Sequence, residues 1–368
     1  MNIEVDLSIA VHSTTRPIAR AVASILDNNK SAIRVTVIAH NIAPELIQAN
    51  LGVWALDDRV RMLTLVDGIA SAAGPLNLGL SESTAPFVAV MGSDDELETG
   101  AIDSWLALLR TSGSAAIIAR IFHVGRGGDA YPPVRPGRSR KLDPVKDRLA
   151  YRSAPLGLIS RETFGHLRFT EGLASGEDLA YVTRMWFSGE LIAFDRTGPA
   201  YIGHHDAVDR VSHVPRTVEE DFRFLDEILP SSWFLSLPLS HRRAICVKLI
   251  RLQVFDAVLA RTNAAEWQDE ERRALAGVVR RVLNAAPRVE NLLSRADRKT
   301  LAVVLAAVPN DTRITDLLRR RWDYRTFAAA LPRNIFYALH RQGPFRTLFA
   351  GMLVSAPVDR WWVRRLWR

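Results

Sequence analysis

The chain has 368 residues, 48% apolar and 24% charged, which excludes a disordered polypeptide and leaves room for two domains. Its single cysteine, Cys246, excludes an internal disulfide and a cysteine-based zinc site, as expected in a reducing compartment. The formal charge of +8 conceals an asymmetry: residues 1–230 carry 23 Lys+Arg against 29 Asp+Glu, whereas residues 231–368 carry 25 against 11. The first part has no nucleic-acid footprint, and the second invites an anionic partner.

The opening MNIEVDLSIAV lacks a basic segment and predicts no secretory signal. No apolar run reaches the ~18 residues of a spanning helix. Both point to the cytoplasm. Apolar β-rich runs then alternate with helical patterns, as in an open α/β sheet. Strands are predicted at 6–11, 34–39, 60–66, 87–91, 115–122, 191–194 and 199–202, and helices at 17–28, 44–50, 71–83, 100–110 and 181–188. Thr14 or Thr15 is a candidate cap for the first helix. Residues 125–147, rich in Gly, Pro and Arg, read as a mobile surface loop. After about residue 215 strand patterns give way to 3.6-residue periodicity, first over 241–261 with Ile245, Leu249, Leu252, Phe255 and Leu259. Cys246, within an apolar run, reads as a small buried hydrophobe.

Three polar constellations interrupt this pattern. Asp94-Asp95 follows a strand, where carboxylates of an α/β sheet meet ligands and hard oxygens suit Mg²⁺ or Mn²⁺ on a diphosphate; a simple turn is the other reading. Gly176-Glu177-Asp178 opens a helix, as reactive acids or as caps. Gly203-His204-His205-Asp206 offers a metal or phosphate ligand, or surface imidazoles.

Their order resembles that of the inverting family-2 glycosyltransferases with the GT-A fold. The resemblance runs over about residues 6–212: Ser8-Ile9-Ala10-Val11-His12-Ser13 in the first strand, Ser24-Ile25-Leu26 in the following helix, Leu76-Asn77-Leu78-Gly79-Leu80, then Gly92-Ser93-Asp94-Asp95, Thr99-Gly100 and Gly176-Glu177-Asp178 with Arg184. Departures are Gly92 for the first Asp of D-x-D-D, Leu76 for an Arg, and Ala39-His40-Asn41 where an acidic pair often ends the second strand.

The resemblance implies a nucleotide-sugar donor, with a UDP-sugar favoured, and Mn²⁺ or Mg²⁺ as cofactor. Asp94 is then the metal ligand and Asp95 its support or a ribose contact. Asp178 is the general base, with Glu177 positioning acceptor hydroxyls or tuning it. His205 is a further metal or phosphate ligand. Val11, His12, Ser13, Asn41, Asp67, Asn77 and Ser93 complete the nucleotide-sugar site. His123 and Arg126, beside the loop, are acceptor contacts, and Arg184 pairs with a local acid. The expected fold is a GT-A, Rossmann-like mixed sheet flanked by helices at 1–225, followed by a basic all-helical region at 226–368.

The closing helix 357–368 sets Arg360, Arg364 and Arg368 on one face and Val358, Trp362 and Leu366 on another, a pattern suited to an anionic membrane surface or to packing on its own domain. Arg242-Arg243 and Arg319-Arg320-Arg321 suit a polyanionic polymer. The reaction expected is metal-dependent, inverting sugar transfer to a cell-envelope, lipid-linked or polysaccharide hydroxyl, with a homo-oligomer open and nucleic acid excluded. A nucleotidyltransferase would want a Gly-rich phosphate loop after the first strand, which His12–Pro17 lacks. A degenerate, non-catalytic fold binding an anionic surface would account for Gly92 and Leu76, but not for the retention of Asp94, Glu177 and Asp178.

Overall fold

The computed structural model describes residues 2–204, 215–261, 267–308, 313–323 and 326–367, the side chains of 361, 362 and 364 excepted. The strands are β1 Val5–Val11, β2 Ile33–His40, β3 Val60–Leu65, β4 Phe87–Gly92, β5 Glu96–Leu97, β6 Ala116–Ala119, β7 Ile121–His123, β8 Gly127–Gly128, β9 Gly157–Ser160, β10 Ile192–Asp195 and β11 Tyr201–Gly203. The helices of the first part are α1 Ile18–Leu26, α2 Pro44–Leu51, α3 Ala73–Ser81, α4 Ala101–Ser112, α5 Arg161–Phe164 and α6 Leu179–Trp186.

The main sheet has the order β10-β6-β9-β4-β1-β2-β3, and a smaller one the order β5-β11-β7-β8. β9 runs antiparallel to both β4 and β6, so the main sheet is mixed. In β1, Val5, Leu7, Ile9 and Val11 pack in the core under α1, while Ser8 faces α3, the alternation that a pleated strand imposes. The predicted 115–122 strand divides at Arg120, with β6 in the main sheet and β7 in the small one. A continuous apolar run hides such a switch because each half is buried in its own sheet. β9 escapes sequence detection because it is four residues long. It also holds Gly157 at φ 138°, where a Cβ would stand 1.9 Å from the Ile117 carbonyl oxygen.

Two local expectations are corrected. α1 starts after Pro17 with no side-chain cap; Ser13 and Thr15 instead bond each other, 2.8 Å between hydroxyls. The 125–147 segment is packed rather than loose: Val134, Leu142 and Val145 are buried, and Asp147 accepts a bidentate bond from Arg135. Three apolar anchors and one ion pair are enough to fasten a sequence that composition alone assigns to a loop.

From residue 218 the described elements are helices: α7 Val218–Phe222, α8 Phe224–Ile228, α9 Ser232–Ser236, α10 Leu239–Leu249, α11 Phe255–Arg261, α12 Asp269–Ala285, α13 Arg295–Ala306, α14 Arg313–Trp322, α15 Phe327–Ala330, α16 Pro344–Ser355 and α17 Trp361–Leu366. The predicted 241–261 helix is interrupted by a wider π turn at Ile250–Val254. One apolar core runs from α3, β4 and α6 into α10–α14 and on to Val363 and Trp367. Cys246 is fully buried there, and burial pushes its thiol up to about 12, which removes it from thiolate chemistry.

α17 lies on its own protein. Val363 and Trp367 point inward, a different face from the one expected. The Arg196 guanidinium stands 5.6 Å from the Trp367 ring and donates to the Ala356 carbonyl at 2.5 Å. Arg321 is not available to a polymer either. It is buried, pairs with Asp297 at 3.1 Å and sits 4.2 Å over the Phe255 ring. Arg242 and Arg243 donate to the carbonyls of Ala285 and Pro287. No helix among the described residues is long and apolar enough to cross a membrane.

Candidate active site

At the carboxyl ends of β1, β2 and β4 the sheet opens into a cavity of about 440 Å³, where open α/β sheets hold ligands. Val11, His12, Asn41, Ser93, Asp94, Glu177 and Asp178 line it, so both expected acidic motifs share one cavity.

Asp94 is held at the floor. Its Oδ2 is 3.0 Å from Arg16 Nη1, with both side chains less than a tenth exposed, and its carbonyl accepts from Arg20. Arg20 also reaches Glu96, which faces His204. Asp95 turns elsewhere: it accepts from the Tyr201 hydroxyl at 2.5 Å and from the His204 backbone N–H at 2.9 Å. Burial and the neighbouring Asp95 hold the Tyr201 phenol well above its usual range, so it remains a donor. Gly92, where the family pattern has an Asp, lies against this carboxylate; a Cβ there would come within 2.6 Å of Asp95 Oδ2. The departure at residue 92 thus leaves room for Asp95 on Tyr201.

On the β2 side, Asn41 adopts a left-handed φ of 55° and its side-chain carbonyl accepts from the backbone N–H groups of Asp67 and Gly68. Asp67 does not line the cavity. It accepts from His40 Nε2 at 2.8 Å, and the Ile69 N–H, His40 and Asn41 hold its carboxyl below the usual range. Asn77 does not line the cavity either. It exchanges two bonds with the Phe169 backbone and donates to Glu171, which seats Phe169 in the cavity wall and anchors the approach to residues 176–178. Ser13 is outside the lining set.

Glu177 and Asp178 come from the turn before α6. Asp178 occupies the cap position, but its side chain makes no capping bond. Burial, then the Glu177 charge, pushes its carboxyl up to about 7, opposed by the Lys248 cation. Glu177 is raised by burial as well. Lys248 projects from α10, is 2% exposed, and is brought down to about 8 by burial, with Asp178 and Asp256 opposing. A carboxylate that half-ionises near neutrality suits proton abstraction. A second cavity of about 340 Å³ is also lined by Asp178, together with Ser153, Arg216, Asp221, Gln253 and Asp256.

Among the described residues, no group of three or more His, Cys, Asp or Glu side chains is placed to hold a metal. Asp94 presents a carboxylate to the cavity, and it fits Mg²⁺ or Mn²⁺ only where donor phosphates supply further ligands. His205 lies outside the described residues. His123 sits on β7 and Arg126 in the turn after it, and neither lines either cavity. Arg184 is exposed and has no carboxylate partner among the described residues.

Sequence reasoning overlooked Arg16, His40, Phe169 and Lys248. Arg16 had one signal, a lone cation just before the first helix. Lys248 had none, since the fold alone carries α10 to Asp178.

The family model of glycosyl transferase family 2 matches residues 9–168. No curated protein matches the chain in sequence. Among solved structures, S. aureus TarS 1–349 in complex with UDP-GlcNAc aligns with a TM-score of 0.66 at 16% identity, covering 86% of this chain and 90% of that one. Its complex with UDP aligns at 0.64 and 16%, covering 86% and 89%. The longer S. aureus TarS aligns at 0.63 and 14%, covering 87% of this chain and 55% of that one.

Proposed function

Because residues 9–168 are a family-2 glycosyltransferase domain on a GT-A fold, we propose that this enzyme moves a sugar from a UDP-sugar to a hydroxyl of a cell-envelope or polysaccharide acceptor, with inversion. The observation that carries the proposal is the presence of Asp94 and Asp178 on one cavity. The favoured donor base is supported by the likeness to TarS, whose structures hold UDP-GlcNAc and UDP.

In this reading the acceptor oxygen attacks the anomeric carbon, its proton passes to Asp178, and the bond to the diphosphate breaks with its electron pair leaving on the nucleoside diphosphate. One displacement from the opposite face inverts the anomeric centre. Arg16 neutralises leaving-group charge from the floor, and Asp95, held by Tyr201, fixes the turn that carries Asp94. A bound Mg²⁺ or Mn²⁺ would be held by Asp94 and would add Lewis-acid stabilisation of the diphosphate. The acceptor enters through the cavity of Arg216, Gln253 and Asp256, which Asp178 also lines, while Glu177, on the wall of the first cavity, orders its hydroxyls where the two cavities meet at Asp178. His12 stacks on the base. Residues 1–225 act as the catalytic domain and 226–368 as the region that completes the acceptor side; among the described residues the last strand ends at Gly203 and the helices that follow begin at Val218.

The test is turnover of UDP-sugars, with and without Mn²⁺, by wild type, Asp94→Ala and Asp178→Asn. Donor hydrolysis by wild type that fails in both variants supports the reading. Equal inertness of all three across a donor panel, with no nucleotide raising the Tm, removes it.

A further inference from the structure

Away from the catalytic cavity, cations gather where the 135–148 segment meets α16. A cleft of about 540 Å³ is lined by Arg135, Lys146, Arg148, Arg341 and Arg346, together with Phe345 and Phe349. An adjoining cleft shares Arg341 and Arg346 and adds Arg243 and His340. No carboxylate lines either one.

The charges are unevenly compensated. Arg135 is bound to Asp147 and Lys146 to Asp143. Arg148 is 3% exposed and donates to the carbonyls of Pro133 and Lys146, while its buried Nε has no hydrogen-bond partner among the described residues. Burial, with a contribution from Arg346, brings its guanidinium down to about 10. Arg341 and Arg346 are exposed and form no ion pair among the described residues. Like charges held together without a counter-charge repel, and an anion relieves that cost.

The same stretch also exposes large apolar side chains. Phe345, Phe349 and Met352 follow one another at i, i+4 and i+7 on α16 and are 47%, 51% and 63% exposed. Ile335, Phe336 and Leu339 are exposed as well, at 60%, 90% and 67%. A soluble polyanion would account for the arginines but not for six exposed apolar side chains beside them. A phosphate-bearing amphiphile accounts for both.

We propose that this face docks on an anionic phospholipid surface, with headgroup phosphate taken between Arg148, Arg341 and Arg346 and with Phe336, Phe345, Phe349 and Met352 entering the acyl boundary. The contact lies at 335–352 rather than on the closing helix, whose Val363 and Trp367 are committed inward. It does not depend on the identity of the sugar donor.

Cosedimentation with vesicles of phosphatidylglycerol and phosphatidylcholine tests it, with pure phosphatidylcholine as the neutral control. Wild type pellets with the anionic vesicles and not with the neutral ones. Arg341→Glu/Arg346→Glu lowers the partition coefficient by about tenfold or more. Phe345→Ser/Phe349→Ser/Met352→Ser lowers it as well and leaves the remainder salt-sensitive. Thermal melting of each variant verifies folding, so the result stands whatever becomes of the donor assignment. Unchanged pelleting of the charge-reversed protein overturns the proposal. So does wild type that binds inorganic polyphosphate yet pellets with neither vesicle, which would assign the cleft to a soluble polyanion.

Discussion

Arg16 Nη1 and Asp94 Oδ2 stand 3.0 Å apart at the floor of the cavity, each side chain less than a tenth exposed. Under the proposed function, a diphosphate entering the cavity engages one partner of this pair without stranding the other. Removing either partner leaves a poorly solvated ion, at a cost of about 3–5 kcal/mol. Arg16→Ala is therefore expected to lower the Tm and to weaken UDP binding by roughly tenfold to a hundredfold, the worth of a charge-assisted bond. Calorimetric titration of UDP into wild type and variant measures this; equal affinities would remove Arg16 from the donor site.

The pH dependence follows from Asp178. Its carboxyl titrates at about 7 because burial and Glu177 disfavour the anion. A base acts in its ionised form, so kcat should rise with pH up to about 7 and level off above it. Asp178→Asn should cost about 10²–10⁴ in kcat while leaving UDP affinity within a few-fold. A rate profile flat from pH 5 to 9 would argue against this base.

Among the described residues, the Lys248 cation on α10 favours ionised Asp178. Lys248→Met removes that support, so the acid limb of the profile should move to higher pH. Turnover at pH 7 should fall several-fold while turnover at pH 9 changes little. A uniform loss at every pH would indicate damage to packing instead.

Gly92→Ala tests the coupling between the departure from the family pattern and Asp95. The added Cβ would meet Asp95 Oδ2 at 2.6 Å, and that carboxylate is tethered to Tyr201 and to the His204 N–H. The expected result is a loss of roughly 1–3 kcal/mol in stability with weaker donor binding. Urea unfolding reads the first and titration the second, and an unchanged midpoint would show that Asp95 moves freely.

Gly157→Ala should be more severe. The residue holds φ 138° inside the β6–β9 pairing, and its Cβ would be 1.9 Å from a backbone oxygen that cannot swing away. A loss of about 3 kcal/mol or more is expected, against about 1 kcal/mol for Gly113→Ala, where φ is 62° but nothing crowds the position. Equal costs at the two sites would contradict the backbone collision.

The alternation of apolar runs placed β1, β2, β3 and β4 within a residue or two, because each is a buried strand whose pattern is local. The pairing of Asp94 with a strand end and of Asp178 with a helix start was legible for the same reason: strand and helix boundaries are written in neighbouring residues. Which acids share a cavity is a different kind of fact. Asp95 and Asp178 look alike in sequence, yet one is consumed by Tyr201, 106 residues away, and the other is left on the cavity wall.

Local composition therefore determined the order of elements, the mixed α/β character of the first part, the helical character of the second, and the identity of the two acidic motifs. Tertiary structure alone decided that Arg16 pairs with Asp94, that Asn77 bonds Phe169 and Glu171 and Asp67 bonds His40, that Lys248 lies near Asp178, and that Val363 and Trp367 turn inward. The physical reason is range. Hydrogen-bonded periodicity acts over a few residues, whereas charge balance, desolvation and packing depend on groups that only the folded chain brings within a few ångströms.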